Sequence, residues 1–227
     1  MRPSKQNYPP LVQPLGTNNW LAVSPRVGTG SEANAQIVGP TGDVLEAFHA
    51  GGGIEDVQTT ASGDIWISYF DEGVFRGNDL GQAGLVCLDE AGQLQFSFNE
   101  VATATNLPPI YDCYALNVTS DADVWLHYYD AFPLVHLHDR QPTFTYRDLP
   151  VRGGHALAVD AGRVLLAGVA GEEIWCFSVG SPDAEQLTPL DPTGLPLHPR
   201  SPAGRGSRLY FTDRDALWAI DLAIFDG

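Results

Sequence analysis

A five-bladed, all-β propeller is the fold class this sequence predicts, with about 45 residues per blade in a single domain over residues 1–227. Three observations predict it. A phrase of short strand, tight turn and aromatic-rich strand recurs along the chain. Alternation of apolar and polar residues is common, as in Ile65-Trp66-Ile67-Ser68-Tyr69-Phe70, whereas no stretch of ten or more residues shows a 3.6-residue period. Turn residues are in excess, with 24 Gly and 17 Pro in 227 residues.

The units follow in order. The first reads NNWLAVSPR from Asn18 and NAQIVGPTGDVLEAFHAG from Asn34; the second reads VQTTASGDIWISYFDEGVF from Val57 and GLVCLDEAGQLQFSFNE from Gly84. The third runs from Leu116 as LNVTSDADVWLHYYDAFPLVHLHDRQPTFTYRDL, and the fourth from Leu157 as LAVDAGRVLLAGVAGEEIWCFSV. The fifth, GSRLYFTDRDALWAIDL from Gly206, leaves room for three strands, so residues 8–12 are expected to supply a fourth and remove two sheet edges. Trp20, Trp66, Trp125, Leu165 and Tyr210 take corresponding positions on the second strand of each unit, on average about 47 residues apart.

The G-D-I-W phrase at Gly63 and the A-D-V-W phrase at Ala122, each followed by Tyr and Asp, resemble repeats of NHL-type, sensor-kinase and virginiamycin B lyase-like propellers. Gly53 to Phe75 and Asp112 to Leu137 look more closely like uncharacterised bacterial propeller proteins, a resemblance that implies the fold and no activity. The chain has no counterpart of the catalytic His and Glu pattern of the lyase-like group.

Charge narrows the partners. Lys and Arg total 12 against 28 Asp and Glu, a formal charge of −16, and the only lysine is Lys5. Such a surface repels phosphate backbones and anionic lipid, so neither nucleic acid nor a membrane is expected as a partner. A small-molecule or peptide ligand is expected instead. The start, MRPSKQNYPP, has no apolar core of a leader, which predicts a soluble, cytoplasmic protein. Cys87, Cys113 and Cys176 lie far apart inside apolar runs and read as core thiols.

In a propeller, turns joining the first to second and third to fourth strands of each blade share one face, and the remaining connections share the other. The short turns Ser62-Gly63, Asp121-Ala122 and Ala161-Gly162 belong with Thr41-Gly42, Ala91-Gly92 and Arg140-Gln141. The long connections, residues 71–84 and 99–112, belong to the opposite face, where binding residues are expected to concentrate. That face collects Glu55, Asp56, Asp71, Asp112, Tyr114, Asp130 and His155 as the candidate ligand-binding residues, with Glu72, Glu172, Glu173 and Asp213 at neighbouring corners. Converging carboxylates of this kind would hold a polar ligand or a hard divalent cation, Ca²⁺ being the candidate. Phe75, Tyr111, Tyr114 and Tyr129 are the aromatics expected at its mouth, where rings beside carboxylates suit sugars or organic cations.

Two rival readings predict different surfaces. A hydrolase or lyase at the same site needs a carboxylate pair or a His within reach of it, and an interaction scaffold needs an apolar patch on the long loops. No G-x-S-x-G elbow occurs, and Gly51-Gly52-Gly53 lacks the lysine and helix of a phosphate loop. His136 and His138 share one strand face at a spacing able to share a metal, but without a third ligand to complete a site they read as a polar blade face.

Overall fold

Runs such as IWISY, LVCL, ALAVD and VLLA are apolar on both faces, which suits strands packed between neighbouring blades rather than a sheet wetted on one side. The computed structural model describes residues 8–27, 33–76, 79–168 and 173–224 and contains five antiparallel sheets that follow one another along the chain. The fold is a five-bladed β-propeller. It falls into two compact units, Met1–Tyr111 with two blades and Asp112–Gly227 with three. Among the described residues no helix is long and apolar enough to cross a membrane.

In the first unit, β1 (Leu11–Leu15), β2 (Asn19–Val23), β3 (Ala35–Val38) and β4 (Val44–Phe48) form one blade. The next blade is β5 (Ile54–Thr59), β6 (Ile65–Tyr69), β7 (Leu85–Leu88) and β8 (Leu94–Ser97). Leu15, Leu21, Val23, Ile37, Ile54, Val57, Ile65, Ile67 and Val86 pack into one buried cluster between the two sheets. The Thr59 hydroxyl donates to the Pro14 carbonyl, tying the two first strands together.

The second unit opens with β9 (Asp112–Val118), β10 (Asp123–Tyr129), β11 (Leu134–His138) and β12 (Gln141–Tyr146). It continues with β13 (Ala156–Asp160), β14 (Arg163–Ala167), β15 (Ile174–Ser178) and β16 (Ala184–Leu187). The last sheet is β17 (Arg200–Arg205), β18 (Arg208–Asp213) and β19 (Ala216–Asp221). Its inter-blade clusters are Ala115, Leu134, Leu157, Val164, Leu166 and Phe177, then Ala158, Leu165, Ile174, Leu209, Phe211 and Leu222. Asn117, fully buried on β9, donates to the Gly206 carbonyl (2.8 Å) and accepts from the Gly206 N–H (2.7 Å).

Two sequence expectations need correction. Residues 8–12 do not complete the last blade: Leu11 and Val12 belong to β1, whose backbone pairs with β2 from Leu11↔Val23 to Leu15↔Asn19. These residues pair within the first sheet, and the last sheet holds three strands among the described residues. The long connections, read from the sequence as loops, also contain short helices. Residues 71–84 contain α1 (Asp71–Arg76) and α2 (Asp79–Gln82), and residues 98–105 form α3 (Phe98–Thr105). Each is shorter than three turns, too short for a 3.6-residue period to stand out, though Asp71 and Glu72 at the start of α1 and Arg76 at its end match the helix dipole.

Candidate functional site

The sorting of loops by face holds within each unit. In the first, the Gly51–Gly53 connection, the β2–β3 loop and α1 meet at one end: Ile54 N–H donates to Pro25 O, Phe70 N–H to Gly53 O and the Tyr69 hydroxyl to Ala50 O. Asn34 stitches the same end, donating to Ser24 O and Gly51 O and accepting from Ala50 N–H. Gly53 has φ +69°, and a Cβ there would stand 2.3 Å from the Gly73 backbone nitrogen. Gly52 and Gly53 thus lie against Gly73 of α1 and Gly51 against the Tyr69 ring, a packing role that composition alone did not reveal.

This end of the first unit holds an open cleft of about 630 Å³, lined by Arg26, Phe70, Asp71, Glu72, Phe75 and Arg76. The Arg26 guanidinium lies 4.0 Å from the Phe70 ring centre and 5.1 Å from that of Tyr8, and it donates to the Glu72 carboxylate. Phe75, 67% exposed, stacks on Tyr111 at 5.9 Å. Of the residues expected here, Asp71 lines the cleft. Asp56 is occupied inside its own strand, accepting from Val57 N–H and the Gln58 amide, and Glu55 is exposed beside it.

Asp112, Tyr114, Asp130 and His155 belong to the second unit, where an aromatic cluster brings two of them together. Tyr114, near the start of β9, stacks on His155 at 4.3 Å and 18°, and on Tyr129 at 6.4 Å and 25°. Phe132, in the β10–β11 turn, packs against Tyr114 (5.6 Å), edge-on to Tyr129 (5.6 Å) and against His127 (5.7 Å). Tyr129 is 46% exposed; its backbone is paired with that of Asp112, and the exposed Asp130 follows it in sequence. Glu172, expected at a nearby corner, lies outside the described residues.

His127 was not singled out in the sequence. It is fully buried; its Nδ1–H donates to the Pro133 carbonyl at 3.2 Å, while Nε2 has no partner among the described residues. Burial first, and then the nearby His155, push its pKa down to about 4, with the Pro133 bond pulling the other way. At neutral pH the ring is uncharged. Its signal in the sequence was phase: the alternation that makes Leu126 and Tyr128 core residues should turn His127 outward, yet all three are buried.

The His136 and His138 pair is a hydrogen-bonded network. Asp123 Oδ1 accepts from His136 Nε2 (2.9 Å) and His138 Nδ1 (2.8 Å), and Oδ2 accepts from Ser120. Trp125 stacks on His136 at 4.2 Å. The hydrogen bond from His138 holds the Asp123 carboxyl below the usual range, and the same bond raises His138. Among the described residues no group of three His, Cys, Asp or Glu side chains is disposed to hold a metal ion.

Comparison with curated proteins returns no match. Among solved structures, PorZ, a surface component of the type-IX secretion system of Porphyromonas gingivalis, aligns with 96% of this chain at 14% identity and a TM-score of 0.50, over 28% of its own length. YCF48 bound to D1 peptide aligns with 96% at 12% identity and 0.54, over 66% of its length. A chain of the nidogen/laminin complex aligns with 94% at 12% identity and 0.51, over 75% of its length. The chain thus spans under a third of PorZ and just under two thirds of YCF48, and what is shared at these identities is the fold. The model of the YxzG family matches residues 85–219, well over half of the chain, in a segment that includes the whole Tyr114, Tyr129, Phe132 and His155 cluster. The chain belongs to the YxzG family.

Proposed function

We propose that the chain is a recognition module, holding a small-molecule or peptide ligand at the loop end of its second unit. The observation that carries this reading is the cluster of Tyr114, Tyr129, Phe132 and His155, drawn from three separate segments around a half-exposed tyrosine. Rings fixed by one another lose little conformational freedom when a ligand docks, which favours binding. The solved structures of YCF48 with a peptide and of nidogen with laminin add the analogy of propellers used for recognition.

The cytoplasm is the compartment this reading assumes, in keeping with three cysteines that remain thiols. A hydrolase or lyase reading has less to stand on, since the Asp56 carboxylate is bonded within its own strand and the Asp123 carboxylate serves two imidazoles. An interaction surface on the first unit is a second reading, favoured by the exposed Phe75 and Tyr111 pair.

Thermal unfolding in the presence of sugars, amines, short peptides, Ca²⁺, Mg²⁺ or a chelator tests the proposal. A ligand of the native state at a hundred times its Kd adds about 2.7 kcal/mol and raises Tm. At least one member of the panel is expected to do so for the parent chain and not for Tyr129→Ala. No shift from any of them would overturn the reading.

A further inference from the structure

The proposed site has a counterpart inside the same chain, already filled by a side chain. The second strands of their blades, β6 and β10, lead into matching phrases, Tyr69-Phe70-Asp71 and Tyr128-Tyr129-Asp130. In each, the first tyrosine is fully buried, the second aromatic sits at the loop end with more of its surface exposed, and the aspartate is exposed. The repeat therefore leads the second strand of two blades into an aromatic ring followed by an exposed aspartate, although Asp71 opens α1 with Glu72 behind it, whereas Asp130 lies in a turn and is followed by Ala131.

In the first unit this platform carries a cation. The Arg26 guanidinium lies over Phe70 at 4.0 Å, anchored by Glu72, in the cleft that Asp71 also lines. In the second unit the platform is larger, since Tyr114 and Phe132 extend Tyr129. Arg147, just past the end of β12, is near enough to act on Tyr128, but among the described residues no cation lies over Tyr129 or Phe132. His127 beneath Phe132 is neutral at physiological pH and adds no opposing charge. A face of π-electron density next to an exposed aspartate in sequence, in a chain of net charge −16, attracts a planar or compact cation and repels an anion.

We propose that the Tyr129 and Asp130 platform binds an external guanidinium or alkylammonium group, the role that Arg26 plays for Phe70. This rests on the recognition reading above and narrows it to one chemistry. The group could arrive on a free guanidino or amino compound or as an arginine side chain of a peptide.

The experiment uses the full chain, nuclear magnetic resonance of ring-labelled tyrosine and three probes: ethylguanidinium, the blocked tripeptide Gly-Arg-Gly, and the same tripeptide with neutral citrulline for arginine. The Tyr129 resonance is expected to move with ethylguanidinium and with the arginine peptide, and the citrulline peptide to bind at least tenfold more weakly. Asp130→Asn, at an exposed position that leaves the fold intact, is expected to weaken the arginine peptide severalfold. Arg26→Ala is expected to raise the stoichiometry from one to two by vacating Phe70. Tighter binding of the peptide than of ethylguanidinium would identify a peptide source, and the reverse a small molecule. Equal binding of the arginine and citrulline peptides would overturn the cation assignment while leaving recognition standing. Silence with all three, beside a response at Tyr129 to some neutral member of the wider panel, would do the same; silence with every compound would remove both.

Discussion

Protonation of His127 gives the second unit a predictable acid sensitivity. The folded imidazole titrates at about 4 because burial disfavours its charged form, whereas in the unfolded chain it takes a proton near 6.5. Between those values the unfolded state binds more protons, so stability rises with pH and falls as pH drops. The full effect, from neutral pH to below 4, follows from that gap at about 1.4 kcal/mol per tenfold change, or about 3 kcal/mol. The assay is urea unfolding of the parent and of His127→Gln, followed by far-ultraviolet circular dichroism at half-unit steps from pH 7.5 to 4. Other titrating groups are common to both proteins and cancel in the difference. The parent's advantage over the variant should shrink by about 3 kcal/mol across that range, most steeply below 6.5. A difference that stays constant with pH would show that His127 is solvated and that the buried, partnerless Nε2 is misjudged.

Two further outcomes follow from the packing. Gly53→Ala places a Cβ 2.3 Å from the Gly73 nitrogen at φ +69°, and combined overpacking and left-handed strain should cost about 3 kcal/mol, read as a lowered urea midpoint for the first unit. Asp123→Asn removes the carboxylate shared by His136 and His138, so the raised His138 pKa should fall back toward its ordinary value in an imidazole titration. A raised His pKa contributes stability below the unfolded value and loses it as pH rises through the folded value, so the penalty of Asp123→Asn should be larger at pH 6 than at pH 8. An unchanged His138 titration would count against the shared bond.

The blades were legible because each inner strand carries the repeat in its own residues. Trp20, Trp66, Trp125, Leu165 and Tyr210 all fall on the second strand of their sheets, as their spacing implied. Of the four aromatics expected at the loop end, Phe75, Tyr111 and Tyr129 are exposed and Tyr114 is half-buried, while Tyr69 and Tyr128 are core residues. What was not legible depends on contacts distant in sequence. That Gly53 faces Gly73 is visible only once α1 is folded against the glycine loop. Acidity was a poorer guide than shape, since Asp56 is engaged within its own strand while uncharged Phe132 joins Tyr114, Tyr129 and His127.

The asparagine bridges bear on the order in which the chain is completed. Asn34 finds its partners within 17 residues, so the first unit has its stitch almost as soon as those residues leave the ribosome. Asn117 must wait for Gly206, 89 residues later. At translation rates of about 5–20 residues per second that delay is on the order of 5–20 s, long compared with strand pairing. For that interval β9 holds a polar side chain in an apolar sheet with its partner not yet made, and the nascent second unit is at its most exposed to chaperones and proteases.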